Sequence, residues 1–208
     1  MSKKTSRLRL DNVRVVYPSL DKPASFAGQT EEQAKYGIKF LIPKSDKAVI
    51  DSIKAFLKAN VDNVDKWSKT AKAQVYKTAI DQDPYNDNCV IKDGDKINAR
   101  RLDEEKEAVA AFEGHIVIGA NRNQKMGPPI VVDRNNDPID KGLIAGEIVS
   151  GYWVNAYVDA YCYSKPKNGI TLSLYAVQKV KEDEVFGQSS PFDVVEGDDE
   201  EEDEPTFG

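Results

Sequence analysis

The chain has 208 residues, of which 40% are hydrophobic and 31% charged, which is the composition of a globular protein and excludes a low-complexity chain. All 29 Lys and Arg residues lie in residues 1–181 together with 23 acidic residues, whereas residues 182–208 hold twelve acidic residues and no basic one. The net charge of −6 therefore averages a body of +6 and a tail of −12, a pattern typical of a polyanion-binding body with an acidic tail.

Three features narrow the class of protein further. No run of about 18 apolar residues occurs, so no membrane-spanning helix is predicted. The start MSKKTSRLRL is basic but lacks the apolar segment of a signal peptide. Cys89 and Cys162 form no disulfide framework and lack the spacing of zinc ligands, so we expect a reducing cytoplasm and no metal site.

Five segments in which apolar residues alternate or form short runs predict β-strands. In chain order, they are residues 7–17, 35–42, 114–122, 146–163 and 169–180. Ser45 is the expected cap of a helical insertion at about 45–77, after the second strand. Residues 81–107 and 123–142 are rich in turn-forming residues and predict loops. This order favours a mainly β, α+β fold, namely an OB-fold-like five-stranded barrel with long loops over residues 1–181.

The segment 146–163 is the most informative strand, because alternate side chains of a strand point to opposite faces. One face is mostly small and apolar, as a barrel interior requires, and the other face holds the aromatic residues Trp153, Tyr157, Tyr161 and Tyr163. A loop, a helix or a second copy of the chain could cover these rings, which leaves a homo-oligomer open. Bases could also stack on them without regard to sequence. We favour base stacking on Trp153 and Tyr157, with Tyr161 as a further candidate.

A nucleic-acid groove also needs cations along the path of the phosphates. The candidates are Lys35, Lys39, Arg100, Arg101, Arg122 and Lys125, and Arg7, Arg9 and Arg134 also lie outside the apolar faces. Any one of them could be an ordinary solvated charge. The body charge of +6 nevertheless favours a phosphate track over a random scatter of cations.

Signals of an enzyme are weak. His115 is the single histidine, and it begins an apolar strand, where packing is commoner than catalysis. No catalytic triad order, Walker loop, dinucleotide fingerprint or HExxH motif occurs. The aspartates between 81 and 95 lack the regular ligand positions of a calcium loop, although a metal-dependent nuclease that uses them is one hypothesis. We therefore predict a protein that is not an enzyme and uses no cofactor.

Residues 182–208 predict a disordered acidic tail, because like charges repel and the apolar content is too low to build a core. The tail ends in Pro205-Thr206-Phe207-Gly208, so one aromatic ring follows the acidic run. A device for solubility is one interpretation. The basic body favours another, in which the tail competes with nucleic acid for the body and docks on partner proteins through Asp203, Glu204 and Phe207.

Several segments together resemble a known family. They are FLIPKSDKA (40–48), CVIKDGDK (89–96), FEGHIVIGANRNQKMGPPIVVDRNNDPI (112–139), GYWVNAYVDAYCY (151–163) and AVQKVKEDEVFG (176–187). In order and spacing they are similar to phage single-stranded DNA-binding proteins of the DUF2815 type, which are Enc34-like. The resemblance implies an OB-fold that binds single-stranded DNA in phage replication and recombination, with replication or recombination proteins on the tail. It also implies the cytoplasm of the infected bacterial host.

A second class of function stays open at this point. The chain could be an acidic-tailed adaptor, or a DNA mimic that inhibits a nucleic-acid enzyme without binding DNA itself. The body charge of +6 argues against this alternative.

Overall fold

Two long strands with alternating apolar side chains begin the barrel. β1 is Leu8–Ala24 and β2 is Lys35–Pro43, and they pair antiparallel. The computed structural model describes residues 7–25, 30–80 and 89–187 of the chain. Within these ranges five further strands follow, namely β3 Ile91–Asp93, β4 His115–Asn123, β5 Ile130–Val132, β6 Trp153–Tyr163 and β7 Gly169–Lys181.

Five of the strands close into a barrel. β1 pairs antiparallel with β2 on one side and with β6 on the other, β2 pairs with β4, and β6 pairs with β7. A parallel pair between β4 and β7, in which Ala120 lies opposite Leu172, closes the ring. The short strands β3 and β5 extend the sheet beside β4 and β7. The circular order β1-β2-β4-β7-β6 is that of an OB-fold, so the predicted α+β barrel is confirmed.

The side chains that point into the barrel form one apolar core. Phe40 of β2, Ile118 of β4, and Val154 and Val158 of β6 are fully buried in it. Their neighbours along each strand point outward, as expected of a small barrel filled by its own side chains. The inward face predicted for 146–163 is thus confirmed within β6, and the outward side chains of β6 lie on the outside of the barrel.

The predicted helical insertion consists of two α-helices. They are α1 Lys47–Asp62 and α2 Lys69–Val75, and α2 continues as a π-helical turn, Tyr76–Ile80. The cap of α1 is Asp46 and not Ser45 as predicted, because the Asp46 carboxylate accepts the backbone N–H of Val49 at 3.2 Å. Ile53 and Leu57 of α1 are fully buried in the barrel core, so the insertion packs against the barrel.

A third helix, α3 at Gly94–Asp103, lies where the sequence predicts a loop over 81–107, so the loop prediction was wrong there. Asp93 caps this helix, since its carboxylate accepts the backbone N–H groups of Asp95 and Lys96 at 3.0 and 3.3 Å. The helix has few apolar residues, and capping instead of periodicity marks its start. Residues 81–88 of the predicted loop lie outside the described residues.

The strand predicted at 146–163 begins only at Trp153. Before it, the chain forms a short helix, α4 at Ile144–Glu147, and a turn through Gly151. Gly151 has φ +107°, and a Cβ there would lie 2.0 Å from the Glu184 carbonyl oxygen, so this position requires glycine. In the part of the chain that the structure describes, no helix combines the length and the hydropathy needed to cross a membrane.

Candidate nucleic-acid interface

A groove with a volume of about 1070 Å³ lies on the outward face of β2 and β4, and we call it the β2–β4 groove. Its walls come from β1, β3, α3 and the ends of β6 and β7. Its cationic and aromatic lining residues are Tyr17, Lys35, Lys39, Lys92, Arg100, Arg101, Phe112 and Tyr163. A concave surface with five cations and three aromatic rings is suited to a flexible polyanion that carries planar rings.

The floor of the groove is open at Gly119, where any other residue would project a side chain into it. Lys39 on β2 lies opposite Gly119 on β4 in the strand register. A Cβ added at Gly119 would meet no atom within 4 Å, so the space above it is empty. Gly37 lies further along β2, and a Cβ there would approach the Asn121 side chain to 2.6 Å. The floor is therefore lined by backbone at Gly119 and by the side chains of Lys39, Val117 and Asn121.

Lys39 is half-buried at this floor, and its cation faces aromatic rings. Its Nζ lies 5.1 Å from the centroid of the Tyr17 ring and 5.6 Å from that of the Phe112 ring. Burial lowers the pKa of Lys39 below the ordinary lysine value, and the nearby cations Lys92 and Arg101 lower it further. An incoming phosphate would stabilise this charge. Lys39 was predicted to contact phosphate, and its half-buried position at the groove floor is consistent with that contact. The strand pattern alone did not reveal this position.

Tyr17 was not among the predicted site residues, and the structure places it at the edge of the groove. The β1–β2 register shifts between Val16 and Ser19, which marks an irregularity of the β-bulge kind, and Tyr17 has φ +52°. Its backbone N–H donates to Ser150 Oγ at 3.0 Å, which holds this unusual conformation. The ring is 54% exposed and meets the Phe112 ring edge-on. Bulges that aim a side chain outward and residues at positive φ are frequent at functional sites.

Two tyrosines at the end of β6 form the opposite aromatic edge. Tyr163 lines the groove and lies over Gly169 of β7, where an added Cβ would come within 2.4 Å of its ring. The Tyr161 ring stacks on the Tyr163 ring, with centroids 6.4 Å apart and planes inclined by 23°. Tyr161, a predicted stacking residue, is 60% exposed. It therefore continues the aromatic lining of the groove outward.

Glu104 is the one acidic residue among the described residues that line the groove. Its carboxylate accepts hydrogen bonds from Lys106 Nζ and Arg100 Nε, both at 2.7 Å. These two cations, Lys106 first, lower the pKa of Glu104 to about 2. Lys106 and Arg100 neutralise this carboxylate. The predicted cations Arg101, Lys35 and Lys39 therefore give the groove a net positive charge.

Two of the predicted phosphate contacts lie elsewhere. The Arg122 guanidinium donates to the carbonyl oxygens of Gly127, Met126 and Leu174 at 2.9, 3.0 and 3.3 Å. Arg122 therefore ties the turn after β4 to β7, and these bonds use three of its five N–H donors. Lys125 is exposed in that turn, outside the lining of the β2–β4 groove. Sequence alone could not separate these cations from those of the groove.

Trp153 also lies outside the groove, on the outer face of β1, β6 and β7, and its ring has protein neighbours. Its indole N–H donates to the Asp183 carboxylate at 2.6 Å, and this bond lowers the pKa of Asp183. Lys181 and Arg14 lie 4.9 and 5.7 Å from the ring centroid. Asp183 belongs to the segment 182–187, which follows β7 and folds back over this ring. The predicted stacking on Trp153 would therefore have to displace this segment.

Tyr157 shares that outer face and is 40% exposed. It lines a smaller pocket of about 210 Å³ together with Arg9, Ile130 and Gln178. The predicted aromatic set is thus divided between two surfaces. Tyr161 lies at the groove, and Tyr157 lies on the face of β1, β6 and β7.

The remaining predicted residues fall partly outside the described ranges. Asp203, Glu204 and Phe207, the candidates for partner binding, belong to residues 188–208, which the structure does not describe. Of the aspartates at 81–95, Asp93 and Asp95 are described, and both contact Lys44 Nζ at 2.6 Å. Among the described residues, no group of three or more His, Cys, Asp or Glu side chains could hold a metal ion.

A closed OB-type barrel with a groove that is both basic and aromatic is typical of proteins that bind single-stranded nucleic acid. The chain matches the family described as "Enterobacter phage Enc34, ssDNA-binding protein" over residues 6–205. It therefore belongs to that family, and the resemblance seen in the sequence is confirmed.

Individual relatives are similar to this chain over most of its length. Putative protein p50 of Acyrthosiphon pisum secondary endosymbiont phage 1 is 31% identical over 193 residues, which is 93% of each chain. The single-stranded DNA-binding protein of bacteriophage Enc34, solved in complex with single-stranded DNA, is similar with a TM-score of 0.65 and 26% identity. That match covers 88% of this chain and 91% of the other. The gp2.5 protein of bacteriophage T7 shares the fold, with a TM-score of 0.52, 15% identity, and coverage of 95% and 100%.

Proposed function

We propose that this chain binds single-stranded DNA in the β2–β4 groove without regard to sequence and without catalysis. The observation that carries the proposal is the half-buried Lys39 cation on an open glycine floor, facing the Tyr17 ring. The Enc34 relative, which was solved with single-stranded DNA, supports the choice of ligand.

Within the groove, phosphates would contact the cations and bases would stack on the rings. Lys39 lies at the floor, and Lys35, Lys92, Arg100 and Arg101 also line the groove. Tyr17 supplies a ring at one edge, and Tyr163 with Tyr161 supplies rings at another. Each stacked base contributes about 1–3 kcal/mol and each ring accepts any base, so the affinity is expected to be high and tolerant of sequence.

The substitution Gly119→Leu tests this use of the groove. A Cβ at Gly119 meets nothing within 4 Å, and the rest of the leucine side chain would project into the groove and not into packed protein, so folding should be unaffected. It would nevertheless occupy the space above the floor where a strand must lie. We expect the affinity for oligothymidylate to fall at least about tenfold, or about 1.4 kcal/mol. Fluorescence anisotropy with a labelled oligonucleotide measures this. Leu143→Ala changes an exposed side chain outside the groove and is the matched control.

We further propose that the protein acts in phage DNA replication and recombination inside the host cell, and that its tail recruits partner proteins. The twelve acidic residues after Lys181, the basic groove and the family support this role. Competition between tail and DNA follows from the same charges. The segment 182–187 contacts the barrel, so a chain ending at Gly187 removes the rest of the tail and leaves those contacts in place.

That shortened chain should bind oligothymidylate more tightly than the full chain at low salt. The difference should shrink as salt screens the tail. It should also fail to capture the host or phage replication proteins that we expect the full chain to bind. Equal affinity of both chains at low salt would contradict the competition between tail and DNA.

A further inference from the structure

The outward row of β6 leads from the β2–β4 groove to a second face of the barrel. Tyr163, at the end of the strand, lines the groove, and Tyr161 stacks on it. The next outward positions along β6 are Asp159 and Tyr157, because outward side chains recur at every second residue. This outward row, in which Asp159 separates Tyr161 from Tyr157, therefore joins the groove at one end and reaches the outer face of β1, β6 and β7 at the other.

Cations accompany the rings on this second face. Arg9 of β1 lies opposite Tyr157 of β6 in the strand register, and its guanidinium is 5.8 Å from the centroid of that ring. Arg7 lies over the Tyr175 ring at 3.2 Å. Alternating cations and exposed aromatic rings are the surface that single strands of nucleic acid use in other proteins.

The polar groups beside Tyr157 are satisfied by one another and offer little to read a base. Asn155 Nδ2 donates to Gln178 Oε1 at 3.0 Å, and Asn155 Oδ1 accepts the backbone N–H of Asn12 at 2.9 Å. Asn155, Gln178 and the Tyr157 ring border the pocket of about 210 Å³, together with Asn136. A base placed there would gain contact mainly with the ring and with the apolar wall.

Two carboxylates now hold the arginines and would have to give way to phosphates. Arg7 pairs with Asp159 at 3.2 Å, and Arg9 pairs with Asp11 at 2.6 Å. The side chains of both pairs are between 40% and 60% exposed. Exposed ion pairs of this kind contribute little, so a phosphate that brings its own charge can replace either carboxylate.

We propose that single-stranded DNA leaving the β2–β4 groove continues along the outside of β6, stacking on Tyr161 and Tyr157, with phosphates on Arg7 and Arg9. This inference rests on the proposed function, because the groove supplies the first part of the track. The second face is an extension that lengthens the binding site. It does not act as an independent site.

The dependence of affinity on oligonucleotide length tests the extension. Oligothymidylates from about 4 to about 16 nucleotides span the range of site sizes known for OB-folds. Dissociation constants are measured by anisotropy at one salt concentration for the full-length chain and for Tyr157→Ala, Gly119→Leu and Leu143→Ala. Leu143→Ala removes an exposed apolar side chain that lines neither surface, which makes it the control for Tyr157→Ala.

We expect Tyr157→Ala to match the unchanged chain on the shortest oligonucleotides that bind and to weaken binding of the longest at least about fivefold. Gly119→Leu should weaken binding at every length. Equal effects of Tyr157→Ala at all lengths, or none at any length, would overturn the extension while leaving groove binding intact. Two short oligonucleotides bound per chain would also overturn it, because the second face would then hold a separate strand. Full binding by Gly119→Leu would instead refute the proposed function itself.

Discussion

Lys39 offers the most specific prediction, because removing its charge should weaken DNA binding without lowering the stability of the fold. In Lys39→Met the apolar stem is kept and the charge is removed. Loss of one phosphate contact should reduce the slope of log K against log [salt] by about 0.7 for a single strand. The Nζ lies 5.1 and 5.6 Å from two aromatic rings and faces the cations Lys92 and Arg101.

The same variant should not lose stability. Burial and the neighbouring cations lower the pKa of Lys39 in the folded chain, so the charged form is less stable there than in the unfolded chain. That unfavourable contribution is present below the folded pKa and is relieved as the pH rises toward the ordinary lysine value. Replacing Lys39 by methionine removes it at every pH. The midpoint of thermal unfolding at neutral pH is therefore expected to stay level or rise while DNA binding weakens.

Two assays decide this prediction. Anisotropy titrations with oligothymidylate at several salt concentrations give the slope, and calorimetry gives the unfolding midpoint. Lys58→Met, which removes one exposed lysine from α1, is the control for net charge. Equal salt slopes of Lys39→Met and Lys58→Met would exclude a phosphate contact of Lys39, and a clearly lower unfolding temperature of Lys39→Met would exclude the unfavourable burial of its charge. In the unchanged chain, affinity should also decline at a pH below that at which an ordinary lysine loses its proton.

Other substitutions divide the remaining residues by role. Tyr17→Ala should weaken oligothymidylate binding at least about fivefold with an unchanged salt slope, since it removes a ring and no charge; a changed slope would argue against stacking. Arg122→Met should lower the free energy of unfolding by about 2 kcal/mol, because three carbonyl oxygens lose a charged donor, and urea titration measures this. If Arg122 bound phosphate instead, Arg122→Met would reduce the slope of log K against log [salt] and would leave the free energy of unfolding unchanged. Trp153→Phe keeps an aromatic ring and removes the hydrogen bond to Asp183, so affinity for short oligonucleotides should stay within about twofold. A larger loss of affinity would place Trp153 on the DNA path.

The alternation of apolar residues was sufficient to predict the barrel. Strands such as β2 bury Phe40 on one face and place Lys39 on the other, and this follows directly from a period of two residues. The helical insertion was likewise visible in its apolar spacing. The OB-like fold class could therefore be predicted from the pattern of residues along the chain.

The groove itself could not be predicted, because it depends on contacts between distant segments. Tyr17 and Tyr163 are 146 positions apart in numbering, and they line one groove only because β4 and β7 close the barrel. The sequence VVYP at 15–18 breaks the alternation of β1, and this was the available signal for the bulge at Tyr17. No feature of the neighbouring sequence distinguishes Trp153, whose indole N–H donates to Asp183, from a tryptophan whose ring is exposed.

The groove on β2 and β4 should select single-stranded DNA over duplex DNA, and a paired titration measures this selection. The unchanged chain and Gly119→Leu are titrated with oligothymidylate and with a duplex of equal length at the same salt concentration. We predict tight binding of the single strand by the unchanged chain, much weaker binding of the duplex, and at least a tenfold loss of single-strand affinity in Gly119→Leu. Binding of the duplex as tightly as the single strand would contradict this selection. Unchanged binding by a folded Gly119→Leu would contradict binding in the groove.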